Sequence, residues 1–334
     1  MTRVYVELSG ESLDLARAEV DAVAAVLGGV ELEFVPAPVP LAIVELAREY
    51  VPTLALRLAL SRRCLVETPR GAAFDPTEGG PSVPGETAAF RRLGSPSGGP
   101  DSRGIETAAR AWKSAGGRID LERPLRRFWW VVNLTGADQL LEEVATVDRH
   151  STSARRISAL PFRRPIGLAP RLARAAANLA RIAPGDRVVD PFLGTGALLA
   201  EAALFGARVT GIDHEAAMVQ GANRNFTHLR VTAEHLVVGD SGEVEFPGSE
   251  GPFDALLTDP PYGRASSTGG EGAGSLAARI LPRWADRLRP AAFAVVVVPG
   301  GDDPLGPPWR RLLAVPVRVH RSLTREFRVY RRQP

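Results

Sequence analysis

The stretch 187-RVVDPFLGTGALLAEAALFG-206 decides the fold. Four residues of strand character end on Asp190, a Gly-rich turn follows, and an Ala/Leu run with helical spacing closes on Gly206. A strand that passes through glycine into a helix opens a parallel βα unit. Gly194 and Gly196 let the backbone approach a ligand closely, and the free amides of the next helix favour an anionic group. The dinucleotide fingerprint needs a third glycine at position 199. The chain has Leu199, which disfavours a nicotinamide dehydrogenase. By itself a Gly-x-Gly turn is weak evidence, since most such turns only serve helix–strand packing.

Downstream, strands and helices keep alternating. "RVTGID" ends in Asp213, about twenty residues beyond the turn, where a carboxylate can hold both hydroxyls of a ribose. "HLVVGD" ends in Asp240, within reach of an adenine amino group if a ligand lies across the strand ends. "FDALLTD" runs into 259-DPPY-262. Pro260 and Pro261 remove two backbone donors and fix φ, so the strand stops at a rigid corner that presents Asp259 and Tyr262. "SLAARILPRWADRLRP" reads as a helix, "AAFAVVVVP" as a strand, and "VPVRVHRS" with "REFRVYRR" as a terminal hairpin. The pattern predicts five parallel strands and a final antiparallel pair: an α/β, Rossmann-like domain with a seven-stranded mixed sheet. Asp190, Gly194, Gly196, Asp213 and Asp240 then gather at carboxyl strand ends, where open α/β sheets bind ligands.

Upstream, the first seventy residues read strand–helix–strand–strand–helix–strand, an α+β ferredoxin-like order. Residues 71–104 are rich in Gly, Pro and Ser and read as a linker with loops, with "AAFRRLG" as one short strand. "IETAARAWKSAGG" reads as a helix and "FWWVVNLTG" as a strand. Trp129 and Trp130 face opposite ways on it, so at least one belongs to a core.

Composition narrows the classes. The 334 residues are 45% hydrophobic and 24% charged, the profile of a globular protein of two or three domains. A single cysteine, Cys64, excludes an internal disulfide and a Cys-rich zinc site, and no metal site is expected. The longest purely apolar run, 291-AAFAVVVV-298, is too short to span a bilayer, and the N-terminus lacks a signal-like apolar core; a cytoplasmic protein with no membrane partner is expected. The net charge is only +3, but residues 149–174 hold seven arginines and no acid, and residues 318–332 hold six arginines against Glu326. Such asymmetry leans toward a polyanionic partner.

With the cofactor turn first and DPPY on the fourth strand, the chain resembles S-adenosylmethionine-dependent methyltransferases that act on exocyclic amino groups. The flanks, "DRHSTSARRISALPFRRPIGLAPRLARAAANLA" and "VHRSLTREFRVYRR", resemble the archaeal tRNA guanosine-10 N2-methyltransferases, and "AAFRRLG" with "GGRIDLERP…FWWVVNLTG" resembles a shortened THUMP domain. One departure from the family's pattern is Leu193, where a small or sulfur residue is usual. The resemblance implies a ferredoxin-like unit over 1–70, a THUMP-like RNA-binding region over 71–150, and an arginine-rich connection with the methyltransferase domain over 151–334. It implies S-adenosylmethionine held by Asp190, Pro191, Phe192, Gly194, Thr195, Gly196, Asp213 and Asp240, and tRNA as substrate. A small zinc-binding activator subunit is a further partner in such families. In that frame Asp259 and the carbonyl of Pro260 accept the N–H groups of guanine, Pro261 stiffens the corner, and Tyr262 stacks on the base. Other amino-methyltransferases, on ribosomal RNA or on adenine or cytosine of DNA, offer the same kind of NH₂, and an inactive RNA-binding relative is a further alternative.

Overall fold

A computed structural model describes residues 1–36, 39–68, 84–93, 103–134, 137–149, 155–164, 167–244, 252–261, 273–301, 303–320 and 323–334. Contacts divide the chain into two units. The first holds Met1–Leu13, Leu27–Leu56 and Ser61–Val147; the second holds Asp14–Val26, Arg57–Leu60 and Asp148–Pro334.

In chain order the first elements are β1 (Thr2–Leu8), α1 (Leu13–Val26), β2 (Val30–Val35), β3 (Leu41–Leu46), α2 (Val51–Arg57), β4 (Ser61–Glu67), β5 (Thr87–Leu93), α3 (Arg103–Ser114), β6 (Arg118–Ile119), β7 (Arg126–Leu134) and β8 (Ala137–Thr146). The strands of the first unit form one eight-stranded sheet in the order β2-β3-β1-β4-β8-β7-β5-β6. It is antiparallel except where β5 runs parallel to β6 and β7. Among its described residues, buried side chains cluster around Tyr5, Leu65 and Trp129 and around Phe90, Trp112 and Phe128. Trp129 is therefore core, while Trp130 is partly buried.

Strand β8 is absent from the sequence reading. Its "LLEEV" centre carries two acids, which argue against a central strand. Neighbours satisfy both. Arg126 donates to Glu142 at 2.7 Å, while Glu143 accepts from Arg63 and from the indole of Trp129, each at 2.9 Å. The Arg63 guanidinium also stacks 3.8 Å over the Trp129 ring. These charges are legible only once the strands are paired.

The second unit continues with α4 (Pro170–Leu179), β9 (Arg187–Asp190), α5 (Ala197–Leu204), β10 (Arg208–Asp213), α6 (Ala216–Leu229), β11 (His235–Val238), β12 (Phe253–Thr258), α7 (Ala273–Ile280), β13 (Leu288–Val298), β14 (Trp309–His320) and β15 (Leu323–Arg332). Its seven-stranded sheet has the order β11-β10-β9-β12-β13-β15-β14. The first five strands are mutually parallel, and β15 and β14 are antiparallel. Phe253, Trp284, Val296 and Tyr330 lie in the core that covers this sheet. Replacing Trp284 with alanine would cost about 3–5 kcal/mol. The predicted helix over 275–290 is split: α7 gives way at Leu281–Arg287 to a 3₁₀ segment, because Pro282 lacks the amide that an α-helix needs there.

Helix α1 lies within this second unit through a buried stripe of Leu15, Ala16, Glu19, Val20 and Val23. Glu19 is fully buried and accepts from the amides of Ala59 and Leu60 at 3.0 and 2.9 Å and from the Asn178 side chain at 2.8 Å. Burial pushes its carboxyl up to about 7, against the pull of those three donors.

Candidate active site

The sheet order places the switch point between β9 and β12. Chain crossovers leave in opposite directions from that point, so a crevice opens at the strands' carboxyl ends. Asp190 ends β9, Asp213 ends β10, and Asp259 follows β12 directly. Parallel register brings these acids to one edge, with Asp190 opposite Gly211 and Leu256 opposite Val189.

Asp190 is 1% exposed. Its Oδ1 accepts from the Phe192 amide at 2.9 Å and from the Thr258 hydroxyl at 2.6 Å, so it fixes the start of the turn and ties β9 to β12. Burial pushes its carboxyl up to about 7, and the charges of Asp259 and Asp213 add to the rise. Asp213 accepts from the amides of Gly194 at 2.8 Å and Glu215 at 3.0 Å. Burial raises its pKa, partly offset by those amides. Each carboxylate oxygen retains a second lone pair for a ligand. Asp240 is exposed, and its Oδ1 caps the Gly242 amide at 2.7 Å.

The two glycines of the turn do different work. Gly194 has φ +52°, and a Cβ there would meet only the Phe192 carbonyl at 3.9 Å. Gly196 has φ +79°, and a Cβ there would lie 2.9 Å from the Phe226 ring and 3.1 Å from Ala222. Gly196 is thus demanded by packing of the turn on α6, and the less crowded side of the turn belongs to Gly194. Leu199 is fully buried. A Cβ at Gly211 would lie 2.6 Å from Leu193 and 3.1 Å from Leu199, so both leucines pack into the space that this strand glycine leaves. Leu193, the departure from the family's pattern, is accommodated there.

A buried amide fastens this turn. Asn225 on α6 accepts from the Phe162 amide and donates to the carbonyls of Phe162 and Thr195, each at 3.0 Å. The turn and the preceding connection are thereby held by one side chain.

At the other side of the crevice Asp259 is ion-paired. Its Oδ2 accepts from Arg325 Nη1 at 2.9 Å, with side-chain exposures of 20% for the acid and 2% for the arginine. Pro260 is buried and Pro261 is partly buried. Tyr262, which the sequence reading assigns to base stacking, lies outside the described residues.

The arginine clusters need revision. In the connection, Arg155 and Arg174 both donate to Glu201, at 2.6 and 2.8 Å, in a triad whose acid is 3% exposed. In the closing segment, Arg325 and Arg328 are each 2% exposed. Arg328 donates to Glu326 and to the Gly301 carbonyl, each at 2.7 Å. Arg174, Arg325 and Arg328 are buried, and Arg155, 12% exposed, is held by Glu201, so these four do not form the open basic surface that the sequence suggests. Arg156, Arg163 and Arg164 stay exposed.

Thr258, Asn225 and Arg325 are the site residues that sequence reasoning missed. Arg325 had a signal: it falls in phase with the buried Phe327 and Val329 in the two-residue alternation of β15, so it points into the protein. Among the described residues no group of three or more His, Cys, Asp or Glu side chains could hold a metal ion, and no helix is long and apolar enough to cross a membrane.

Residues 159–304 match the family model of the RMKL-like methyltransferase domain. The tRNA (guanine(10)-N2)-dimethyltransferase of Methanothermobacter thermautotrophicus is 32% identical over 240 residues, which cover 70% of this chain and 69% of that protein. The enzyme of the same name from Pyrococcus abyssi is 45% identical over 109 residues, 32% of each chain. The crystal structure of TrmN from Thermus thermophilus aligns with 99% of both chains at 21% identity and a TM-score of 0.47. By its likeness to the Methanothermobacter enzyme along two thirds of both chains, this chain belongs to the tRNA (guanine(10)-N2)-dimethyltransferase family.

Proposed function

We propose that this protein transfers the methyl group of S-adenosylmethionine to the exocyclic N2 of guanosine 10 in tRNA. Family membership supports the substrate, and one observation carries the chemistry: Asp259, rigidly cornered by Pro260 and Pro261, is braced by a buried arginine at the same sheet edge as the Gly-rich turn. When bound, the cofactor supplies an electrophilic methyl on a sulfonium. The fit of the turn to such a ligand rests on Gly194, where a Cβ would touch only the Phe192 carbonyl at 3.9 Å, and on Asp213, which retains acceptor capacity for ribose hydroxyls. Asp190 shapes the turn together with Pro191, Phe192, Thr195 and Gly196, and Asp240 is suited to the adenine amino group.

Guanine N2 is a poor nucleophile because its lone pair is delocalised into the ring. Asp259 accepts one of its N–H groups and the Pro260 carbonyl takes the other. This would leave the nitrogen lone pair free to take the methyl and favour pyramidal geometry; the sulfonium would leave as a neutral thioether and the methylated nitrogen would release one N–H proton to solvent. Fixed acceptors of this kind need no reorganisation during the reaction. Tyr262, the next residue in sequence, would stack on the base, which must leave a paired stem at a cost of a few kcal/mol.

The antiparallel order β2-β3-β1-β4 supports a ferredoxin-like reading of residues 1–70. The remaining strands up to residue 150 fit a shortened THUMP-like region for tRNA docking, followed by the methyltransferase domain over 151–334.

The test is mass spectrometry of nucleosides from a tRNA transcript incubated with the protein and isotope-labelled S-adenosylmethionine. Label in N2-methylated guanosine at position 10 is the expected result. Label in adenosine or cytidine, or none with a cofactor-binding protein, would overturn the reading.

A further inference from the structure

We infer that Arg325 is a positioning residue for methyl transfer: it holds Asp259 in the orientation that receives the amino group. The inference rests on the reading of Asp259 as the acceptor for guanine N2.

The geometry is asymmetric. Arg325 opens β15, beyond β13 from the end of β12, and its side chain reaches the corner to donate to Asp259 Oδ2 at 2.9 Å. The cation is 2% exposed and the anion 20%, so the guanidinium is the more deeply set of the two, and Asp259 Oδ1, the oxygen it does not bond, is enclosed at the corner. An arginine this buried is not available to a phosphate in solvent. Nor does stability account for it, since a buried ion pair is often neutral or costly against apolar residues of the same volume. A carboxylate on a two-proline corner has a fixed Cα but can still rotate its side-chain torsions. A planar guanidinium bonded to one oxygen removes that rotation and sets the plane of the other.

A charge argument points the same way. Asp190 and Asp259 stand close enough for Asp259 to act on the Asp190 carboxyl, and Thr258 links their strands. Two acids at one crevice repel, and Arg325 opposes that repulsion from the protein side. Its loss would leave Asp259 free to turn away from Asp190 and from the substrate.

The experiment is a double-mutant cycle on the full chain with Arg325→Gln and Asp259→Asn, read by single-turnover methylation of a tRNA transcript. Asparagine keeps a carbonyl facing Arg325, so it leaves no bare buried cation. Arg325→Gln alone should slow the methyl-transfer step about tenfold to hundredfold, the range for misplacing a reacting group. Dissociation constants for tRNA and S-adenosylmethionine should stay within about twofold, and Arg325→Lys should recover part of the rate. In the Asp259→Asn background, Arg325→Gln should cause little further loss, because its effect runs through the carboxylate. If Arg325→Gln does not fold, the same cycle is run with Arg325→Lys, which should slow transfer only when Asp259 is present. Losses that add in full, or an Arg325 variant with wild-type rate, would overturn the inference. An Asp259→Asn protein with wild-type rate would instead overturn the proposed function beneath it.

Discussion

The side chain of Asn225 bonds both backbone groups of Phe162, taking the amide and giving to the carbonyl at 3.0 Å each, as a neighbouring strand would. Its third bond, to the Thr195 carbonyl, carries the same hold into the Gly-rich turn. One buried amide on α6 therefore registers the arginine-rich connection against the Gly-rich turn. Asn225→Ala should lose about 1–3 kcal/mol of stability, since three partly buried backbone groups are left without their partner. Urea denaturation measures this, and a change under 0.5 kcal/mol would mean that the bonds are replaced.

The turn's two glycines should separate folding from binding. Gly196→Ala forces a methyl toward Phe226 and Ala222 and should lower stability by about 1–3 kcal/mol. Gly194→Ala adds a methyl that meets only the Phe192 carbonyl at 3.9 Å and should cost about 1 kcal/mol for the left-handed backbone while weakening cofactor binding. Calorimetry with S-adenosylmethionine and thermal melts on both variants test the split. Unchanged affinity in Gly194→Ala would move the ligand away from this turn.

Acidity should leave a signature in stability. Glu19 and Asp190 ordinarily ionise near 4.5 and 3.8 and are each raised to about 7 in the fold. The folded protein thus holds these protons more tightly than the unfolded chain does. The stability they contribute is full below their ordinary values and is lost as pH rises through 7. Melting temperature should fall from pH 5 to pH 8, and less steeply in Asp190→Asn, which keeps an acceptor for Thr258 and Phe192. A wild-type curve that rises across this window would contradict the burial argument.

Charge reversal should sort the connection's arginines. Glutamate at Arg156, Arg163 and Arg164 should weaken tRNA binding and reduce its salt slope by about one per lost phosphate contact, with cofactor affinity retained. Arg155→Glu would instead face the buried Glu201 and unfold the unit. Filter binding across salt concentrations, with melts alongside, distinguishes the two outcomes.

The catalytic half of the chain was the more legible. Glycine punctuation, helical Ala/Leu runs and acids at strand ends are local signals, and they mark β9, β10 and β12 with their acids. What stayed hidden depends on partners distant in sequence. Glu142 and Glu143 make β8 look unlike a strand until Arg126, Arg63 and Trp129 are brought beside them. Arg155, Arg174, Arg325 and Arg328 read as a surface for polyanions because no local pattern announces Glu201, Asp259 or Gly301 as their partners. Gly196 is the subtler case. The conformational need was visible, but the wall that it faces is Phe226, thirty residues on.

The central claim is that Asp259 orients the amino group that receives the methyl. Single-turnover methylation of a guanosine-10 tRNA transcript by Asp259→Ala tests it most directly, with cofactor and tRNA affinities measured on the same protein. The account predicts a rate lower by about two to four orders of magnitude with both affinities little changed. Methylation by Asp259→Ala at the wild-type rate would contradict it and return Asp259 to an ordinary corner acid.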